Sequence, residues 1–533
     1  MSVVFEAAIA KWQYILGKDQ VLSEEQASNR FGQDTSGTRR RIPAALCPTE
    51  RAQIPAIIKI AHQSGVSIYP LSTGNNWGYG TSYPVTHDCI ILDLSRLNKI
   101  TDFDAELGVV TVEPGVTQGM LSQFLTEGGH EFLVPVTGAG PNCSLLGNAL
   151  ERGYGITPYT DHFGAVTDLE AVLADGSTYR SALREAGAED VARLFKWGVG
   201  PYLNGLFTQS GFGVVTQMSI LLARRPENTK ICLFSLSQDE QLEVGVAKIN
   251  LILRTLPGIV GATNLMNQHR MLSMAAPYPR EQLDSAGLIP TQVIRTMGSQ
   301  YQIQPWTGFI TLYGKRRIVS AAQKEITNIL KSAASRVLFF SNTQAQYLAR
   351  FTRYIPGATG LRLASTATTL AQSLALVNGY PNETALPLAY WRNPNAKQGP
   401  TRDPARDGCG LIWYAPLLPM RPNTVRLYVT MVQRITRKYG IEPLITLTSI
   451  SDKVLDSTVP ILFNTSNPIE VEQAQCCYQA LLDEGAAAGF IPYRVGVTAM
   501  PWLTQRFGSA AELHTKLRRA IDPANSISPG RYL

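Results

Sequence analysis

A chain of 533 residues exceeds what one compact core serves, so two domains or one large discontinuous one are expected. Hydrophobic residues at 44% against charged residues at 17% describe an ordinary folded protein and exclude a disordered one. The net charge of +7 is spread along the chain, densest at Arg39-Arg40-Arg41 and Lys315-Arg316-Arg317; such triplets read as solvated faces, give little support to nucleic-acid binding and suit an anionic cofactor or substrate.

Seven cysteines, odd in number and without metal-type spacing, argue against a disulfide framework or a metal site, and the adjacent Cys476 and Cys477 read as incidental. The N-terminal stretch carries Glu6 and a broken apolar run, unlike a secretory signal. No stretch approaches the ~18 apolar residues of a membrane span. A soluble cytoplasmic protein is the expectation. The C-terminal Arg-Tyr-Leu is a poor match to the peroxisomal address and leaves that compartment open.

In chain order, residues 1–40 read as a helix followed by a polar segment. Thr49 is placed to cap a helix whose inward face carries Ile54, Ile57, Ile58 and Ala61. Residues 66–71 read as a short buried strand, and a glycine-punctuated loop follows: Ser72, Thr73, Gly74, Asn75, Asn76, Trp77, Gly78, Tyr79, Gly80. Strands are expected at 90–94 and 109–112, then a Pro114-Gly115 turn and a helix. Asp175-Gly176 between two β-rich runs predicts a hairpin over 167–180. Near Arg224-Arg225-Pro226 the texture changes: amphipathic segments such as 317–336 and 423–439 mix with strands such as 232–237 and 308–313, and 378–408 is rich in loop formers. The expected fold class is α+β, with a first domain over 1–225 and 486–533 and a second α+β domain over 226–485 inserted into it.

Three glycines in the nine residues 72–80, directly after a strand, let the backbone approach a ligand and aim successive N–H groups at an anion such as a pyrophosphate. The loop is neither a G-x-G-x-x-G fingerprint nor a P-loop, and a purely structural turn is the other reading of it.

The string STGNNWGYG (72–80) resembles the diphosphate-binding loop of the vanillyl-alcohol oxidase and p-cresol methylhydroxylase family. Further strings fall in the family's order: VEPGVT (112–117), LGNALERGYGITPYTDHF (146–163), KWGVGPYLNGLFTQSGFGVVT (196–216), PYR (492–494) and DPANSISPGRY (522–532). The resemblance implies an FAD-binding domain built from both chain ends, a substrate (cap) domain between them, and oxidation of a para-substituted phenol. By it, Ser72, Thr73, Gly74, Asn75, Asn76, Gly78, Gly147, Asn148, Gly153, Thr157, Gly213, Val214, Val215 and Arg531 hold the cofactor. Tyr79, Tyr493 and Arg494 bind the phenolic oxygen, and Asp161 sits near flavin N5 and the reacting carbon as a base. A hydride then leaves the benzylic carbon for N5, and a quinone methide results. Side chains of neighbouring residues on an extended strand face opposite ways, so Tyr493 and Arg494 share a site only if the chain bends there.

Two features depart from the family. Where relatives carry a histidyl flavin link this chain has Leu411, and the tyrosyl-type position aligns with Ala389, next to Tyr390. Non-covalent FAD is therefore the leading expectation, with a Tyr390 bond as the minor one. Thr446 stands near the place of the cap-domain acid, so substrate identity does not transfer. Trp391, Arg392, Trp413 and Tyr414 are candidates to line the substrate pocket, with an aromatic core as their other reading. Expected partners are a small aromatic substrate and O2 or another electron acceptor, with no nucleic acid and no membrane; a homodimer is compatible with the sequence. Competing functions are oxidation of a non-phenolic alcohol, oxidative cyclisation in a biosynthetic route, and a flavin-binding protein without catalysis. The last has no physical need for Tyr79, Asp161, Tyr493 and Arg494 together.

Overall fold

The structure, a computed structural model, describes residues 3–393, 396, 399 and 401–532. The helix Ile54–Ser64 buries Ile54, Ile57, Ile58 and Ala61, the face its spacing predicts. Thr49 does not cap it. A 3-10 turn, Arg51–Gln53, intervenes, and the Gln53 carboxamide accepts the main-chain N–H of both Thr49 and Glu50. Gly65, with φ of 61°, ends the helix in the left-handed conformation and turns the chain into the strand Ile68–Leu71.

That strand lies parallel to Ile90–Asp93, which lies parallel to Ala45–Leu46; Val21–Leu22 closes the four-stranded sheet antiparallel. Parallel neighbours cannot be joined by a hairpin, so residues 72–89 must leave the carboxyl end of their strand and cross over. The glycine-rich loop is the start of that crossover. The C-terminal segment returns to the same strand: Ile527 bridges Ile68, and Ser528 N–H donates to the Ile68 carbonyl at 2.8 Å.

A five-stranded antiparallel sheet follows in the order Ile100–Asp104, Val109–Val112, Val214–Leu221, Val166–Val172, Thr178–Tyr179. Its last two strands form the hairpin predicted over 167–180, turned at Gly176 with φ of 86°. The strands after residue 225 form a separate eight-stranded antiparallel sheet. Arg336–Ser341, Asn228–Leu236, Trp306–Gly314, Val260–Asn267, Thr446–Ser449, Val454–Asn464 and Cys409–Tyr414 lie in that order, with Leu417–Pro419 also on Val454–Asn464. The amphipathic helices Arg316–Leu330 and Pro422–Lys438 pack on one face of it with Leu242–Thr255 and Pro468–Ala487. Period-two alternation then decides what each strand presents. Leu265, Leu447 and Leu455 enter the helix-covered core, where each contributes roughly 1.5–3 kcal/mol. Their neighbours Asn264, Met266, Thr446, Thr448 and Asp456 line a cavity on the other face.

The loop-rich stretch 378–408 contains the short helix Pro387–Tyr390; its residues 394, 395, 397, 398 and 400 lie outside the described residues. The seven cysteines are free. No helix among the described residues is long and apolar enough to cross a membrane.

Candidate active site

The glycine-rich loop, the C-terminal return and the open face of the larger sheet enclose one cavity of about 570 Å³. Within the loop, Gly78 has φ of 79°, and a Cβ there would fall 2.3 Å from Trp413 Cδ1, so the position requires glycine on both counts. Residues 72–77 all line the cavity, and among the described residues none of their main-chain N–H groups finds an acceptor. Gly78 N–H, by contrast, donates to Thr35 Oγ1 at 2.8 Å. Ser144 N–H donates to Thr73 Oγ1, and Ser144 Oγ accepts from Gly147 N–H, which fixes the facing wall. A Cβ on Gly147 would lie 2.3 Å from Ser72 Oγ and fill the space between the two walls. Gly213, Val214 and Val215 line the cavity from the start of the strand Val214–Leu221, and Asn148, Gly153 and Arg531 line it too. A row of unpaired N–H groups beside an arginine, with apolar walls beyond, fits the diphosphate and ring system of FAD.

Tyr79, Tyr493 and Arg494 come together on the same cavity. Tyr493 and Arg494 lie on a bend just past the isolated bridge between Pro416 and Pro492, so the two neighbours can face one space. The Arg494 guanidinium lies over the Tyr79 ring with Cζ 4.3 Å from its centroid. It donates to Asn76 Oδ1 of the loop and pairs with Glu151 at 3.5 Å. Glu151 also pairs with Arg531, whose other amino group donates to the Tyr69 hydroxyl at 2.5 Å. Tyr154 meets the Tyr493 ring edge-on at 5.4 Å. Among the described residues, the hydroxyls of Tyr79, Tyr493 and Tyr154 have no hydrogen-bond partner. Burial pushes the Tyr79 and Tyr493 hydroxyls well above the usual phenol range, against the pull of Arg494.

A second acid at this end, beside Glu151, is Asp456, 5% exposed, on the strand Val454–Asn464. Burial pushes its carboxyl up to about 7, while Arg494 pulls it down. The sequence carried a usable signal for it. In VLDSTVPILF a lone carboxylate interrupts an apolar strand, and charged residues are buried there only for a reason.

Several expected site residues lie elsewhere. Asp161 is exposed and does not line the cavity; its carboxylate accepts the Gly164 N–H at 2.8 Å and caps its own turn. Thr157 is buried behind the wall rather than on it. Trp391 donates from its indole to the Ala276 carbonyl at 2.8 Å and packs on Tyr278, and Arg392 pairs with Glu470 at 3.3 Å. Tyr414 is fully buried against Tyr428 in the helix-covered core. Of the four aromatic and basic pocket candidates, only Trp413 lines the cavity. Tyr390, the alternative point of attachment for the flavin, does not line the cavity either. Its hydroxyl donates to Asp407 at 2.7 Å, away from the cavity, which is lined instead by Ala389 and Leu411.

Comparison with known proteins agrees with the cofactor this geometry fits. Residues 42–182 match the family model described as FAD binding domain. The chain is 32% identical over 529 residues to 1'-carboxy-chondrochloren decarboxylase of Chondromyces crocatus, covering 99% of this chain and 97% of that protein. It is 28% identical over 534 residues to the 4-cresol dehydrogenase (hydroxylating) flavoprotein subunit of Pseudomonas putida, covering 99% and 95%. The fold superposes on p-cresol methylhydroxylase with substrate bound at a TM-score of 0.87 and 25% identity, over 100% of this chain and 97% of that one. It superposes on 4-ethylphenol oxidase from Gulosibacter chungangensis at 0.89 and 21% identity, with the same coverage, a likeness of fold alone.

The fold and the cavity define an FAD-dependent oxidoreductase. The chain belongs to the vanillyl-alcohol oxidase and p-cresol methylhydroxylase family.

Proposed function

We propose that this enzyme oxidises a para-substituted phenol, of the alkylphenol or hydroxybenzyl alcohol type, at its benzylic carbon. The observation that carries the reading is the convergence of the Arg494 guanidinium with the unpartnered hydroxyls of Tyr79 and Tyr493 on one cavity wall. A free phenol of pKa near 10 costs about 3.4 kcal/mol to ionise at pH 7.5. A neighbouring guanidinium lowers such a pKa by ~1–3 units, and hydrogen bonds to the anion lower it further. One arginine with two tyrosine donors therefore covers the deficit. Because burial keeps both tyrosines protonated, they donate to the substrate's oxygen instead of competing for the negative charge. Asp456, poised near 7, is matched to accept the phenolic proton.

The chemistry FAD supplies when bound is two-electron, hydride-accepting oxidation. Arg494 holds the negative oxygen from which electrons move through the substrate ring as the benzylic hydride departs, and the substrate becomes a quinone methide.

The test is anaerobic titration of the purified holoprotein with a panel of 4-alkylphenols and 4-hydroxybenzyl alcohols. Bleaching of the oxidised flavin band is expected for at least one of them. Reduction by non-phenolic alcohols alone would overturn the reading. Re-admitting air then separates an oxidase from a dehydrogenase that needs another acceptor. In the same sample acid precipitation is expected to leave the flavin in the supernatant, because Ala389 and Leu411 offer no side chain that bonds to it. A yellow pellet would show a covalent link.

A further inference from the structure

Arg270 has no part in that chemistry, yet it lines the cavity at 9% exposure. It stands in the first turn of the helix Gln268–Ala275, which continues directly from the strand Val260–Asn267. Its main-chain N–H is tied to Asn267 Oδ1 at 3.0 Å, so the position of the residue is fixed. The guanidinium is not tied. Its hydrogen bond is a 3.5 Å contact from Nη1 to Ser273 Oγ, and Nε is buried with no partner. Among the described residues no carboxylate pairs with it. A buried arginine is ordinarily paired, because an isolated charge held away from water is costly. This one has no such partner among the described residues and belongs to the cavity lining.

Sheet register places it relative to the phenol end. Asp456 lies opposite Thr448, and Thr448 opposite Asn264. In the next row Thr458 lies opposite Thr446, and Thr446 opposite Met266, four residues before Arg270. The strand of Asp456 and the strand that leads to Arg270 are thus two sheet spacings apart, about 10 Å. A phenol ring with a short chain in the para position spans such a gap. Thr446 Oγ1 and Asn264 Oδ1, on the path between, are also buried without partners.

We propose that Arg270, with Thr446 as second donor, binds a carboxylate at the far end of the substrate's para side chain, so that the substrate class is a 4-hydroxyphenyl compound with an anionic tail. The inference rests on the phenol reading for the ring end and adds the other end. The planar guanidinium fork matches a carboxylate with two parallel hydrogen bonds, which a neutral amide cannot accept.

Binding is measured on the holoprotein with 4-hydroxycinnamate and 4-hydroxycinnamamide, which have no saturated benzylic carbon to oxidise. Calorimetry and the flavin difference spectrum report affinity without turnover. The acid is expected to bind about 30-fold more tightly than the amide, and Arg270→Gln to erase that difference by weakening the acid while moving the amide less than about threefold. Arg270→Lys should restore part of the preference. Equal affinity of the native enzyme for acid and amide overturns the proposal. So does an equal loss of both ligands in Arg270→Gln, or loss of FAD from that variant, which would assign the guanidinium to the cofactor. Reduction of the flavin by 3-(4-hydroxyphenyl)propanoate and by its amide tests the ring end separately. If neither reduces it while the acid still binds through Arg270, phenol oxidation falls and the anion site stands.

Discussion

Arg494→Ala is expected to slow flavin reduction by a 4-alkylphenol at pH 7.5 by about two orders of magnitude, with FAD still bound. Among the described residues the guanidinium is the one cation placed among Tyr79, Tyr493 and Asp456, and its removal is expected to return the substrate's phenolic pKa toward 10. The pH dependence separates this cause from a general loss of order. As pH rises toward 10 the substrate ionises by itself, so the deficit of the variant should shrink to roughly tenfold or less. A structural lesion would instead persist at every pH. Arg494→Lys should fall between, because it keeps the charge and loses the fork that reaches both Asn76 and Glu151. The measurement is single-turnover reduction under anaerobic conditions, with the ratio of flavin to protein absorbance as the control. An unchanged rate at pH 7.5 would remove Arg494 from the chemistry.

Much of this site was legible in the sequence because its signals are local. The strand-then-glycine pattern of 66–80 located the cradle, since only glycine accepts the backbone angle and the close approach of Trp413 at Gly78. The helix faces of 54–61 and 423–439 followed from spacing alone. What the sequence could not place depends on contacts between distant strands. Asp456 and Thr448 sit on strands that follow one another in the chain, but Asn264 joins their row only through the register of a strand far away in the sequence. Arg270 gave no signal, because the sequence does not show that its charge lacks a partner. Asp161, by contrast, does not line the cavity. Its string matches the family, but a carboxylate three residues before a glycine N–H can cap its own turn, and here it does. Trp391 and Arg392 went into packing and ion pairing, where large side chains find their partners more often than they find a ligand.

Asp456→Asn should separate catalysis from stability in opposite directions. In the native enzyme the rate of phenol-driven reduction is expected to rise with pH through about 7, as the carboxylate that accepts the phenolic proton becomes available. The amide cannot accept that proton, so the variant should lose the rising limb and run about 100-fold slower at pH 8. Stability moves the other way. Burial raises the folded-state pKa of Asp456 from 3.8 to about 7, so the folded protein binds this proton more tightly than the unfolded chain does. Its favourable contribution is full below the unfolded pKa and is lost as pH rises through the folded one. Asparagine never ionises and escapes that loss, which amounts to about 4 kcal/mol at most above pH 8. The variant should therefore gain in Tm over the native enzyme, and gain more at pH 8 than at pH 5. Anaerobic reduction rates and thermal unfolding of the same preparations at both pH values decide the matter. A gain in Tm without a fall in rate would make Asp456 a buried bystander, and the phenolic proton would then have to leave by another route.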